Sequence, residues 1–131
     1  MILQQIKIRV EIIDDSGADE VKFLKILEPE TDRNYLLPGD IIQIVVMTLT
    51  EEPGVSSDHP KMKRGGSFRA LVLRAEGIQE KTEGWYMKAK NNGICLVGDK
   101  NKPLCTKITG FISPFVSKHY PEIYAMSQRF F

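Results

Sequence analysis

Pro38-Gly39-Asp40-Ile41-Ile42-Gln43-Ile44-Val45-Val46-Met47-Thr48-Leu49 is the stretch that decides the fold. Pro-Gly-Asp is a tight turn, because proline presets φ, glycine takes left-handed angles and aspartate bonds its own backbone. Behind it the chain stays apolar almost without a break. Ile41, Ile42, Ile44, Val45, Val46 and Thr48 are β-branched, the side chains that fit a pleated strand. A strand with one wet face would alternate between apolar and polar residues. This one does not, so both of its faces must be covered, as in a closed barrel.

The pattern around it is also β. Ile6, Ile8, Val10 and Ile12 alternate with Gln5, Lys7, Arg9 and Glu11, which predicts a half-buried strand. Asp14-Asp15-Ser16-Gly17 ends it in a turn, Val21 to Leu27 is a second strand, and Pro29 to Asn34 is polar turn sequence. Glu51 to Pro60 is a loop and Ser67 to Ala75 the next strand. Ile78 to Lys90 reads as a projecting ribbon turning at Glu83-Gly84, and Asn92-Gly93 is a hairpin dipeptide. Gly93 to Val97 is a short strand, Asp99 to Pro103 a polar turn, and Thr106 to Ile112 the last strand. After Pro114, Ser117 caps a short amphipathic helix that has Pro121 in its first turn and carries Ile123, Tyr124, Met126 and Gln128. Short strands at near-regular spacing with one terminal helix predict a mostly β fold, a small closed barrel.

A chain of 131 residues is one domain and buries a core without metal or disulfide help. Residues 1–112 form the barrel and ribbon in this reading, and 113–131 a helical tail. Cys95 and Cys105 lack metal-ligand spacing and sit beside apolar residues, so buried thiols and a reducing compartment are expected. No stretch is long and apolar enough to span a membrane. The first twenty residues include Glu11, Asp14, Asp15, Asp19 and Glu20, unlike an acid-poor transit peptide.

The charge is split along the chain. Residues 1–60 hold five Lys/Arg and twelve Asp/Glu; residues 61–131 hold thirteen and five. Such a split points to two faces with different partners, one of them a polyanion. Lys61, Lys63, Arg64, Arg69 and Arg74 fall within fourteen positions that contain no acid, the footprint of phosphate contacts set along a hairpin. Solvated strand-edge cations are the bland alternative. Trp85 and Tyr86 could stack on bases, although alternation sends their rings to opposite faces.

Signs of an enzyme are thin. His59 and His119 have no obvious carboxylate or nucleophile partner in sequence and read as surface residues, and Asp14, Asp15, Asp19 and Glu20 read more simply as an Asx-type turn with solvated charges. There is no P-loop, nucleophile elbow or metal-ligand repeat. No catalysis, cofactor or metal is expected.

Read in order, the segments resemble the universal large-subunit ribosomal protein number fourteen family over nearly the whole chain. That family opens with Met-Ile and a Gln-Gln pair, and its Asp-Asn-Ser-Gly-Ala turn before a Glu-Val strand looks like Asp14-Asp15-Ser16-Gly17-Ala18-Asp19-Glu20-Val21. Its Gly-Asp before an apolar strand looks like Gly39-Asp40-Ile41-Ile42, and its lysine-rich approach to an Ala-Val-Val-Val-Arg strand like Lys61-Met62-Lys63-Arg64-Gly65 leading to Arg69-Ala70-Leu71-Val72-Leu73-Arg74. Asn91 to Val97 echoes its Asp-Asn before a short strand, and Cys105 to Ile112 its Gly-Thr-Arg-Ile-Phe-Gly-Pro-Val. The order and spacing carry the specificity.

The resemblance implies a five-stranded barrel with a protruding ribbon and C-terminal helical turns. It also implies a structural role in the large subunit, contacting rRNA and neighbouring ribosomal proteins near the subunit interface, with small-subunit rRNA within reach across a bridge and no membrane. In this reading Lys61, Lys63, Arg64, Arg69 and Arg74 neutralise phosphates, and Lys88, Lys90 and Lys107 extend the patch. Ser16, Thr106, Gly17 and Gly110 allow close approach to sugar and phosphate. The rival reading is a protein-interaction barrel that uses the Ile41–Leu49 stretch or Phe130-Phe131 as its contact surface.

The departures are informative. Family members are strongly basic, whereas this chain carries +1. Asp15 stands where the family has Asn and Asp19 where it often has Arg, and a carboxylate repels phosphate unless a metal or cation intervenes. Cys105 replaces a glycine and Thr109 an aromatic residue. A ribosome in which protein has replaced part of the RNA contacts is therefore expected. A mitochondrial one with an organelle-encoded gene comes first, and a plastid or a bacterial cytoplasm second.

Overall fold

The computed structural model describes residues 8–49, 64–82, 85–104 and 107–128. The strands are β1 (Glu11–Ile12), β2 (Ala18–Glu28), β3 (Ile41–Leu49), β4 (Ser67–Arg74), β5 (Gly77–Thr82), β6 (Trp85–Ala89), β7 (Gly93–Val97), β8 (Ile108–Thr109) and β9 (Ser127–Gln128). Two short helices, α1 (Pro114–His119) and α2 (Pro121–Met126), lie between β8 and β9. The fold is mostly β, as its patterning requires.

The main sheet has the order β1-β7-β4-β3-β2. β3 is antiparallel to β2 and to β4, β4 is antiparallel to β7, and β1 is parallel to β7. Both faces of this sheet carry core, but β3 is fully buried on one face only: Ile42, Ile44 and Val46 are buried, whereas past Ile41 the other face has half-buried Gln43 and Val45 and exposed Met47, so the expected two-sided burial holds only at its start. Ile41, Leu71, Cys95 and Val97 pack on one face with Ile108, Ile112, Val116 and Ile123 of the C-terminal segment. Ile42, Ile44, Val46, Ala70, Val72, Ile94 and Leu96 pack on the other, closed over by Ala18, Ile26 and Leu36.

The expected closed barrel is open along one side. β1 and β2 leave the Asp14–Gly17 turn without pairing with each other, and residues 8–12 and 19–24 line a cleft of about 960 Å³ between them. Of the strand expected from Gln5 to Ile12, residues 5–7 lie outside the described residues, and among residues 8–12 only Glu11–Ile12 is strand, paired with the start of β7 at Gly93.

The ribbon forms as expected from β5 and β6. Asn92-Gly93 is not a hairpin turn. Asn92 is buried, accepts from the Glu76 N–H at 2.7 Å and donates to the Arg9 carbonyl at 2.8 Å, which fixes the root of the ribbon to the strand beside it. The last strand is cut to Ile108–Thr109, because Gly110 at φ +89° turns the chain away. β8 instead pairs in parallel with β9. The single expected helix is two. Pro114 opens α1 with Ser117 inside it, and Pro121, which bars Tyr120 from helical angles, separates α1 from α2.

Candidate nucleic-acid interface

The first turn is built around Asp14. Its Oδ1 accepts from the Ser16 backbone N–H (3.0 Å) and hydroxyl (2.6 Å), and its Oδ2 accepts from the Leu96 N–H (2.8 Å). The carboxyl keeps a little surface but is hemmed in on most sides. Burial pushes its pKa up, the bonds from Ser16 and Leu96 pull it back, and neighbouring Asp15 pushes it further up. Ser16, expected to meet sugar or phosphate, is fully buried with its hydroxyl given to Asp14. Its side chain serves the turn. Gly17 follows at φ +106°.

Asp15, the acid standing in the family's Asn position, serves backbone as well. Its Oδ1 accepts from the Lys107 N–H at 3.0 Å, and its own N–H donates to the Lys107 carbonyl at 3.2 Å. Lys107 is exposed, and it meets this acid through its backbone. Arg64 is exposed in the turn before β4, where Gly65 donates to the Val46 carbonyl and prolongs the β3–β4 ladder.

Arg69 and Arg74 are committed elsewhere. Arg69 reaches across the sheet to Glu28 at 2.7 Å, a pair largely in solvent. Arg74 donates from Nε to Asn91 Oδ1 at 2.9 Å, and Asn91 donates onward to Glu11. The Arg74 guanidinium lies against Gly110 so closely that a Cβ there would strike Nη1. Burial lowers the Arg74 pKa, and Glu11 opposes the shift. Gly110 thus makes room for an arginine of its own chain. Lys90 is exposed beside Asn91, and Lys88 lies on β6 opposite Ile78. Lys61, Lys63 and Thr106 lie outside the described residues.

The ladders separate these residues into two groups. Arg69 faces Val97 and Arg74 faces Gly93, so β4 starts where β7 ends. Arg64, Lys107 and Gly17 collect at the Val97 end, whereas Arg74, Lys90 and Gly110 collect at the Gly93 end. Lys100 and Lys102, dismissed in sequence as turn residues, are exposed at the Val97 end. Lys100 and Asn101 both hold φ +58° there, which aims the two lysines from a fixed turn. Two lysines in five turn residues were the available signal.

The charge split along the chain does not become two faces. β7 and β4, from the basic half, lie between β1 and β3, from the acidic half. Folding therefore sets acids beside bases, as in Glu28–Arg69 and Glu11–Asn91–Arg74. A surface of this kind offers cations as points rather than as a broad field. Among the described residues no three His, Cys, Asp or Glu side chains gather as a metal site would need, and no helix is long and apolar enough to cross a membrane.

Of the rival contact surface, Ile41, Ile42, Ile44 and Val46 are core, at 1% exposure or less, Met47 is exposed, and Phe130-Phe131 lies outside the described residues. The profile of the ribosomal protein L14p/L23e family matches residues 1–131, the whole chain. The chain belongs to that family, whose members are structural proteins of the large ribosomal subunit rather than enzymes.

Proposed function

We propose that this member of the L14p/L23e family is built into the large subunit by contacts to rRNA phosphates and to adjacent ribosomal proteins near the subunit interface. The whole-chain family match carries the reading. Exposed Arg64 and Lys107 at one end, joined by Lys100 and Lys102, and exposed Lys90 at the other supply the phosphate contacts. Arg74 acts through position, holding Gly110 and Asn91 in place beside Lys90. The rigid double-faced sheet fixes these cations, so RNA shape rather than base identity is read. Small-subunit rRNA across a bridge is a further contact of the same kind.

The net charge of only +1 supports a protein-rich particle, and a mitochondrial ribosome is the first candidate, ahead of a plastid or bacterial one. Sedimentation of the native protein on a gradient, before and after a high-salt wash, tests the reading. Retention with the large subunit through the wash is expected; a free protein at the top of the gradient would overturn it. Arg64→Glu with Lys107→Glu should cut incorporation while the isolated domain still folds. It should also lower the salt slope of RNA binding by about 1.4–1.8, from roughly 0.7–0.9 per lost phosphate contact.

A further inference from the structure

Leu37 and Phe115, about half exposed, converge on one recess of about 540 Å³. Pro29, Pro38 and Gly39 complete its apolar lining, and Arg33 and Asp40 stand at its base. Its walls come from two places in the chain: the 29–40 loop and α1.

The recess is held rigidly. A Cβ on Gly39 would fall 2.5 Å from the Phe115 ring, so ring and backbone are already in contact. His119 stacks on the same ring with centroids 4.2 Å apart. On the loop side, Asp40 binds Arg33 through both oxygens at 2.9 Å and accepts from the Leu37 N–H at 2.8 Å. Arg33 also lies 5.3 Å from the Tyr35 ring, itself exposed beside the recess. An apolar hollow kept in shape this way and left open to water is the form of a contact site.

The exposed charges next in sequence to its lining residues choose between partners. Glu30 and Asp32 are exposed on the loop and form no ion pair with any described residue. Lys118 and His119 are exposed on the α1 side. A phosphate backbone is repelled by the loop acids and gains nothing from the proline, leucine and phenylalanine lining. A protein segment that carries a large apolar side chain next to a lysine or arginine satisfies both the hollow and the acids.

We propose that this recess docks a basic segment of a neighbouring large-subunit protein, with an apolar side chain seated between Leu37 and Phe115 and an adjoining Lys or Arg facing Glu30 and Asp32. The inference rests on the chain being part of the large subunit.

The test is Leu37→p-benzoylphenylalanine, incorporated into the organism's own large subunits, isolated on a gradient, irradiated and digested with nuclease. A cross-link to protein is expected, mapping to a segment with a large apolar residue within two positions of a Lys or Arg. Adding Glu30→Lys and Asp32→Lys, both exposed and so tolerated by the fold, should lower the yield about fivefold. Particles that contain the chain but cross-link at this position to rRNA, to an acidic or neutral segment, or to nothing overturn this inference alone. So does an unchanged yield after charge reversal. Absence of the chain from the large-subunit fraction, scored before irradiation, overturns the ribosomal reading and this inference together.

Discussion

Removing the Asp40 carboxylate should be among the costliest polar substitutions in the described fold. Asp40 is 4% exposed and satisfies two donors, the Arg33 guanidinium and the Leu37 N–H. Asp40→Ala leaves both without an acceptor. Breaking a buried ion pair from one side costs about 3–5 kcal/mol. The Arg33 side chain keeps 17% exposure and can turn toward water, which brings that term to about 2–3 kcal/mol. The stranded Leu37 N–H adds about 1 kcal/mol. The sum, about 3–4 kcal/mol, corresponds to a fall in Tm of roughly 10–15 °C for a domain of this size. Urea unfolding followed by circular dichroism measures it, with a midpoint shift of about 2 M. Arg33→Met added to Asp40→Ala should recover about 1–2 kcal/mol, because no buried charge then lacks a partner. A loss below about 1 kcal/mol for Asp40→Ala, or a double variant that loses the sum of the singles, would refute the assignment of this pair as the anchor of the 29–40 loop.

Other predictions follow from the turns and the edges. Asp14 has a raised pKa, so its native form binds a proton more readily than the unfolded chain does. Its contribution therefore favours the fold more as pH falls through that titration, and the advantage is lost as pH rises above it. Asp14→Asn should flatten this dependence in unfolding curves taken from pH 7 down to pH 4, and a slope unchanged from wild type would count against it. Gly110→Ala places a Cβ against Arg74 at φ +89° and should cost about 1–3 kcal/mol. Adding Arg74→Ala should return part of that loss; purely additive costs would show that the two groups do not touch. Glu28→Gln should change stability by under about 0.5 kcal/mol, because the pair with Arg69 is solvated, and a loss near 2 kcal/mol in the same urea assay would contradict that.

Local patterns made the strands legible and concealed where they end. Ile41–Leu49 declared its strand, but its apolar run overstated its burial, because Met47 is exposed on the face opposite Ile42, Ile44 and Val46. β1 could not be bounded from its own residues, because its partner β7 lies far along the chain. β9 was invisible for the same reason, being two residues that pair with β8 after two helices have intervened. The candidate site was harder still. Arg69 and Arg74 look alike in sequence to Arg64, yet the acid or amide that occupies each comes from elsewhere in the chain, Glu28 at the end of β2 and Asn91 in the bend before β7. Ser16 carries the side chain for a phosphate contact, but its hydroxyl donates to Asp14 two residues earlier. Leu37 and Phe115 belong to separate segments, and the contact of Phe115 with Gly39 is what joins them.

The parallel pairing of β1 with β7 sets a schedule for making this protein. Asp14 meets Leu96 across 82 residues, so the first strand to leave the exit tunnel is the last to find its place in the main sheet. At about 5–20 residues per second, that wait is roughly 4–16 s. The β2–β3 hairpin and then β4 can assemble in the meantime, leaving the inner apolar face uncapped on the β7 side. The opposite charges of the two halves, which largely cancel once folded, act during this interval: an N-terminal segment rich in acids attracts the lysines and arginines that emerge after it. The imbalance along the chain thus works before folding is complete, drawing the late strands onto the early ones, and refolding from the unfolded state should slow as salt is added.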